Sequence, residues 1–198
     1  MSLTDGPRLV IEDLTSRVSP FDARERQDQA EILRWIRSGS PLFRTVPPMT
    51  PPQHLAVYFA LLDEASRALM LVDHLKAGCW LLPGGHVDDG EDPRTTVVRE
   101  AQEELGIDVR FHERLGESPF FLSMTQTRGM HSHTDVTLWF VVHGDRAEVM
   151  TPDPGEFRGT GWFGLDEPVD WSASHFDPHM ARFVAKLSAA LVTSTSAC

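Results

Sequence analysis

Cysteine is almost missing from this chain: 198 residues carry two, Cys79 and Cys198. A pair so placed makes no disulfide framework, and a reducing cytoplasm is the simplest setting. Positive charge is also scarce. Eighteen Lys and Arg stand against 29 Asp and Glu, for a formal charge of −11. That balance argues against binding a nucleic-acid polymer over the whole surface. It does not exclude a small nucleotide whose phosphates are neutralised by a metal ion. No long apolar run is present, so no membrane span is expected. The opening residues, MSLTDGPRLVIEDL, lack the basic-then-apolar form of a signal peptide. No internal repeat stands out. What remains is ordinary for a globular protein: 41% hydrophobic and 24% charged residues, in a chain long enough for one domain with a sizeable core and a short extension.

One stretch departs from the ordinary. Residues 85–107 read GHVDDGEDPRTTVVREAQEELGI, preceded by Trp80-Leu81-Leu82-Pro83-Gly84. Asp92 is a candidate N-cap and Pro93 suits a first helical position, while Gly106 suits a left-handed C-cap. Between them Val97, Val98, Ala101 and Leu105 form an apolar stripe at helical spacing. Glu100, Glu103 and Glu104 share another face, at i, i+3 and i+4. Arg99 stands four residues before Glu103 and offsets one of these charges. In an arbitrary chain such a face is plain solvated acid. Here it follows a Gly-Gly turn after an apolar strand, where the backbone can approach a ligand closely. Carboxylate oxygens are hard donors suited to Mg2+ or Mn2+.

The full spacing, G-x5-E-x7-R-E-U-x-E-E-x-G-U, runs from Gly85 through Glu91, Arg99-Glu100, Glu103-Glu104 and Gly106 to Ile107. It resembles the Nudix box, the signature of the MutT-like Nudix hydrolases. Seven positions each demand one residue type. At roughly one in twenty per position, chance gives about one match in a billion windows. The resemblance implies an α/β fold: a Nudix-type α/β/α sandwich with a mixed sheet, here with an N-terminal helical extension. It implies hydrolysis of a diphosphate bond in a nucleoside diphosphate linked to another group, assisted by Mg2+ or Mn2+. The metal ligands implied are Glu100, Glu103, Glu104 and the Gly84 carbonyl. Glu91 is implied as a water-mediated or outer ligand, and Arg99 as a residue that orients Glu103 or Glu91. The base is Glu103, Glu104 or a carboxylate outside the box, with Glu156 first and Asp135 and Glu148 behind it.

The rest of the chain frames this stretch. Residues 1–20 read as a short arm or tail, followed by a helix from Asp22 to Ser38 that ends at Gly39. Its arginines, Arg24, Arg26, Arg34 and Arg37, are either solvated or part of a cap or dimer surface, so a homodimer stays open. Five prolines between Pro41 and Pro52 exclude helix and central strand. The resulting division is an arm and helix over 1–40, a connector over 41–53 and the main domain over 54–195. Strands are expected at 54–62, 67–73, 79–82, 109–115, 119–126 and 136–142, with a strand and turn at 161–168 and a last helix at 178–191.

Beyond the box, Lys76 lies in the loop after the second strand and is a candidate phosphate contact or simply a loop lysine. His131, His133 and Asp135 alternate into a strand and so share one face. Taken alone they suit a transition-metal site of two imidazoles and a carboxylate. Beside the box they suit recognition of a base, sugar or phosphate. Two other functions belong to this fold: a catalytically silent nucleotide or sugar sensor, which tends to lose box carboxylates, and an isoprenoid diphosphate isomerase, which needs a pocket cysteine. Cys79 is the only internal one, and its place in an apolar strand suits a core role.

Overall fold

The computed structural model describes residues 5–45, 51–127 and 132–192. His131, Cys198 and part of the proline connector lie outside these residues. Among the described residues, six strands form one mixed sheet: β1 Gln53–Asp63, β2 Ala68–His74, β3 Cys79–Leu81, β4 Phe121–Gln126, β5 Thr134–His143 and β6 Phe157–Gly164. The order is β3-β2-β1-β5-β4, with β6 on β2. β1 and β5 run parallel in continuous register from Gln53↔Thr134 to Leu62↔His143. The other pairings are antiparallel.

The sheet splits where the site is built. β2 pairs with β1 only at the hairpin end, Leu62↔Leu69 and Asp63↔Ala68, and with β3 at its far end. The chain leaving β3 then lies against β1: Phe59 N–H donates to Pro83 O, Val57 N–H to Gly85 O, and Val87 N–H to Leu55 O. Residues 83–87 thus occupy the gap and lead into α3, Pro93–Leu105.

Alternating residues of β1 serve two cores. Leu55, Val57, Phe59 and Leu61 face α3 with Val97, Ala101 and Leu105, and the helices α1, Asp5–Arg17, and α2, Ala23–Arg37, join this side through Ile11, Ile32 and Ile36. Ala60 and Leu62 face the opposite layer, where α4, Met180–Val192, contributes Phe183, Val184, Leu187 and Leu191. This is the two-faced sandwich expected from the alternation of strands with few helices. α2 also packs against β4, at one end of the strand order, which shields an edge that would otherwise offer unpaired backbone groups.

Two expectations fail. Residues 5–17 are a helix, not a tail: Ile11, Leu14, Thr15 and Val18 recur at helical spacing and are all buried. Arg8 fixes this helix to α2 by donating to Ser40 O at 2.7 Å and to Ile36 O. The strand expected over 109–115 is reduced to a single bridge, Phe111↔Val142. Its continuation turns at once, with Gly116 N–H donating to His112 O. β6 also begins at Phe157, four residues before the strand expected at 161.

Candidate active site

The sequence of α3 sets its own ends. Asp92 Oδ1 accepts from Arg94 N–H at 2.9 Å, Pro93 takes the first turn, and Gly106 closes the helix with φ +66°. Val97, Ala101 and Leu105 are spent on the core beneath β1, while Val98, expected in the stripe, is exposed; Glu100 and Glu104, buried on the flank beside Val97, turn toward the loop at residues 83–87. Gly84 N–H donates to Glu104 Oε2 at 2.9 Å. The carbonyls on either side of Gly84 are taken by β1.

Gly84 is sterically required by backbone, whereas a side chain at Gly85 would displace the Glu100 carboxylate. A Cβ on Gly84, whose φ is +151°, would lie 2.1 Å from Val57 O, and one on Gly85 would lie 2.1 Å from Glu100 Oε1. The first obstruction is the β1 backbone and the second is the end of a carboxylate side chain.

Arg99 is the hub of the helix face. Its guanidinium holds Glu91 through two bonds, Nε to Oε1 at 3.1 Å and Nη2 to Oε2 at 3.0 Å. It also donates to Glu100 Oε1 at 2.9 Å, Glu103 Oε2 at 3.1 Å and His86 O at 3.1 Å. Glu91 is further held by Thr96 Oγ1 at 2.7 Å. Burial opposes the charge on Glu91, but Arg99 and Thr96 hold its carboxyl below its ordinary value.

Glu104 lacks such a partner. Burial pushes its carboxyl up to about 9, with Glu100 and Glu156 adding repulsion and the Gly84 N–H opposing them. Burial raises Glu100 as well, against the pull of Arg99. Glu156, just before β6, therefore stands beside Glu104 although 52 positions separate them in sequence. Lys76 Nζ lies 3.7 Å from Glu156 Oε1 at the exposed rim. Glu103 points outward, its side chain 60% exposed.

His133 and Asp135 join a different group. Nε2 of His54, of His86 and of His133 lie 3.3, 3.3 and 3.2 Å from the same atom, Asp135 Oδ1. Burial opposes the charge on Asp135, yet the surrounding imidazoles hold its carboxyl well below the usual carboxylate range. His54 faces Asp135 across the parallel β1–β5 register, and His86 directly follows Gly84-Gly85. Neither histidine was indicated by the sequence reading. The signal that could have found His54 is the pairing of β1 with β5, which no local pattern contains.

The carboxylate side of this geometry has a family. A model of the NUDIX domain matches residues 52–187. The chain belongs to the Nudix family. Within this Nudix chain the box accounts for Gly85, Glu91, Arg99, Glu100, Glu103 and Glu104, the residues gathered around the loop. A CMP-5'-(N-acetyl-N-hydroxy-3-aminopropyl)phosphonate hydrolase from Streptomyces rubellomurinus is 46% identical over 54 residues, covering 26% of this chain and 26% of that protein. An RNA pyrophosphohydrolase from Cereibacter sphaeroides is 28% identical over 138 residues, covering 64% of this chain and 85% of its own length. The crystal structure of a MutT protein from Methanosarcina mazei matches 74% of this chain and 98% of its own, with a TM-score of 0.54 and 17% identity. At that identity the likeness speaks for the Nudix fold alone.

Proposed function

We propose that this Nudix chain hydrolyses the diphosphate bond of a nucleoside diphosphate linked to another group, with Mg2+ or Mn2+ held by Glu100, Glu103, Glu104 and the Gly84 carbonyl. The observation that carries this reading is the excess of negative charge at one place. Glu100, Glu104 and Glu156 lie together, burial with their mutual repulsion pushes the Glu104 carboxyl up to about 9, and Arg99 is already shared among Glu91, Glu100 and Glu103. A divalent cation would supply the missing charge, and an all-oxygen donor set fits Mg2+ or Mn2+. When bound, it neutralises the diphosphate and lowers the pKa of a water.

The chain's own residues do the rest. Gly84 and Gly85 keep the loop thin enough for a diphosphate to lie near the helix. Arg99 keeps Glu91, Glu100 and Glu103 extended toward one place instead of splaying under repulsion. Glu156 is our candidate for the base. It reaches the cluster from the wall opposite α3 and keeps its side chain 37% exposed, so it meets both water and the buried carboxylates. Lys76 at the same rim would contact a phosphate once Glu156 turns inward. The two relatives described above act, by their names, on nucleotide-derived compounds, which supports a nucleoside-containing substrate.

The test is release of nucleoside monophosphate, with its sugar phosphate, nucleotide or inorganic phosphate co-product, from a panel of nucleotide sugars, dinucleotides and nucleoside di- and triphosphates, with Mg2+ or Mn2+, for wild type, Glu103→Gln and Glu104→Gln. Turnover of one group of compounds by wild type alone is expected. Tight nucleotide binding with no turnover of any compound would make the chain a sensor instead.

A further inference from the structure

We propose that His54, His86, His133 and Asp135 form a second metal site, for a divalent transition-metal ion of the zinc type, separate from the carboxylates of α3. It does not rest on the hydrolase reading above. The four ligand atoms lie within 4.8 Å of one another. Three of their spacings, the 3.2 to 3.3 Å between each Nε2 and Asp135 Oδ1, match the edge of a tetrahedron. With metal–ligand bonds of about 2.0 Å, that edge is roughly 3.3 Å. Nitrogen-rich donor sets favour Zn2+ and its first-row neighbours over Mg2+.

The ring orientation of His54 suits a metal ligand. His54 Nδ1 lies 2.8 Å from the Pro51 carbonyl, which can only accept, so Nδ1 carries the hydrogen. In a neutral ring Nε2 then presents a lone pair to an anionic oxygen. That Nε2 is buried and has no hydrogen-bond partner among the described residues. His133 also has a polar contact at its other nitrogen. Its Nδ1 lies 3.2 Å from Thr127 Oγ1, and that hydroxyl is placed to donate to His133 O at 3.2 Å. A cation between the rings and the carboxylate would take up the Nε2 lone pair of His54 and bond to the Asp135 oxygen. Ligand histidines commonly fix their other nitrogen by donating to a carbonyl or hydroxyl in this way.

Among the described residues the site has four protein ligands and little access. His54 is fully buried, His133 is 12% exposed and His86 and Asp135 are 23% exposed. Four-coordinate closed sites are structural, whereas catalytic zinc keeps a position open. Here the ion would tie β1, β5 and the loop after Gly85 together. The His86 carbonyl already receives Arg99, so the clamp would also steady one support of the carboxylate cluster.

Cobalt distinguishes the two sites by spectrum. Co2+ in a tetrahedral nitrogen-rich site absorbs strongly in the visible, and Co2+ in an octahedral oxygen site barely does. Metal-stripped protein titrated with Co2+ should develop one equivalent of the strong bands. One equivalent of Zn2+ should abolish them, and excess Mg2+ should not. Glu103→Gln/Glu104→Gln should keep the bands; His133→Ala and Asp135→Asn should lose them while melting cooperatively without metal. His86→Ala, at the more exposed ligand, serves if either of these fails to fold. Folded wild type without strong bands would overturn the proposal. So would bands lost in the glutamate variant and kept in the histidine variants. Failure here leaves the hydrolysis test untouched.

Discussion

Two regions where the chain buries carboxylates treat them in opposite ways. Between α2 and α4 each of three acids has a cation, although Asp28 Oδ2 has no hydrogen-bond partner among the described residues. Glu25, fully buried, meets Lys186 Nζ at 2.7 Å; Asp22 takes a two-point bond from Arg182 at 2.7 and 2.8 Å; and Asp28 meets Arg24 at 2.9 Å. Around α3, Glu91, Glu100, Glu103, Glu104 and Glu156 share Arg99 and the rim lysine Lys76. A fold that can satisfy buried charge in one region and leaves it in excess in another is storing repulsion where a ligand is to arrive. The balanced region holds the helices to the sheet. The unbalanced region is where the chemistry is proposed.

The strongest test of that difference is to remove one excess charge. Glu104→Gln keeps the side chain's size and its acceptance from Gly84 N–H. Activity should fall on the order of a hundredfold or more, because a metal ligand is lost. Stability measured without divalent ions should hold or rise, since the variant removes the cost of burying an ionisable acid beside Glu100 and Glu156. Thermal melts in EDTA beside steady-state kinetics separate the two effects. A large loss of stability in EDTA would mean that Glu104 is structural and the contrast is false.

The converse substitution belongs in the balanced region. Lys186→Met leaves Glu25 buried without its cation, and breaking such a pair by removing one partner costs about 3 kcal/mol or more. Urea unfolding should record that loss, while kcat per folded molecule stays near wild type. Replacing both residues, Glu25→Leu with Lys186→Met, should recover most of it, because a buried pair often gives little net stability over apolar packing. A double variant as unstable as the single one would show that Glu25 acts through something other than its charge partner, such as its bond from Phe21 N–H at 2.7 Å.

A smaller change tests whether the excess charge must also be placed. Gly85→Ala puts a methyl 2.1 Å from Glu100 Oε1. Moving that carboxylate should lower kcat by about tenfold to a hundredfold, the scale on which a misplacement of about 1 Å acts. The effect should fall on kcat more than on stability, because the obstructing atom is the end of a side chain. Gly84→Ala should instead destabilise the fold, since its methyl meets Val57 backbone. Equal behaviour of the two variants would remove the distinction.

The two regions were not equally legible in sequence. α3 and its loop are local: the N-cap, the proline, the stripe and the acid face all lie within some twenty residues, so spacing alone located them. Glu156 could be named as a candidate, but only folding brings it to Glu104. The balanced region was illegible, since Asp22 and Glu25 meet partners more than 150 positions away. The histidine group has the same cause. His133 and Asp135 were visible as an alternation, but His54 and His86 join them only through strand pairing. α1 was missed for another reason. Its stripe of Ile11, Leu14 and Val18 is present, but polar neighbours and Pro7 made the segment resemble a tail, and its burial depends on α2 and the sheet.

The smallest expected effect concerns pH. The Arg182 guanidinium holds the Asp22 carboxyl down at about 2, against the opposing effect of burial. A lowered folded pKa means that stability is present above the unfolded value, near 4, and is lost as pH falls through about 2. Asp22→Asn keeps the N-cap, because its oxygen can still accept from Glu25 N–H, but gives up the charge toward Arg182. The side chains are 31% and 22% exposed, so solvent screens the pair and the loss at neutral pH should be about 1 kcal/mol. Urea unfolding at several pH values between neutrality and about pH 2 should show the curves of wild type and variant converging as acid removes the same charge from wild type. A constant gap across that range would assign the effect to the cap rather than the ion pair. In that case the balance of charge between α2 and α4 would matter less than the hydrogen bonds that accompany it.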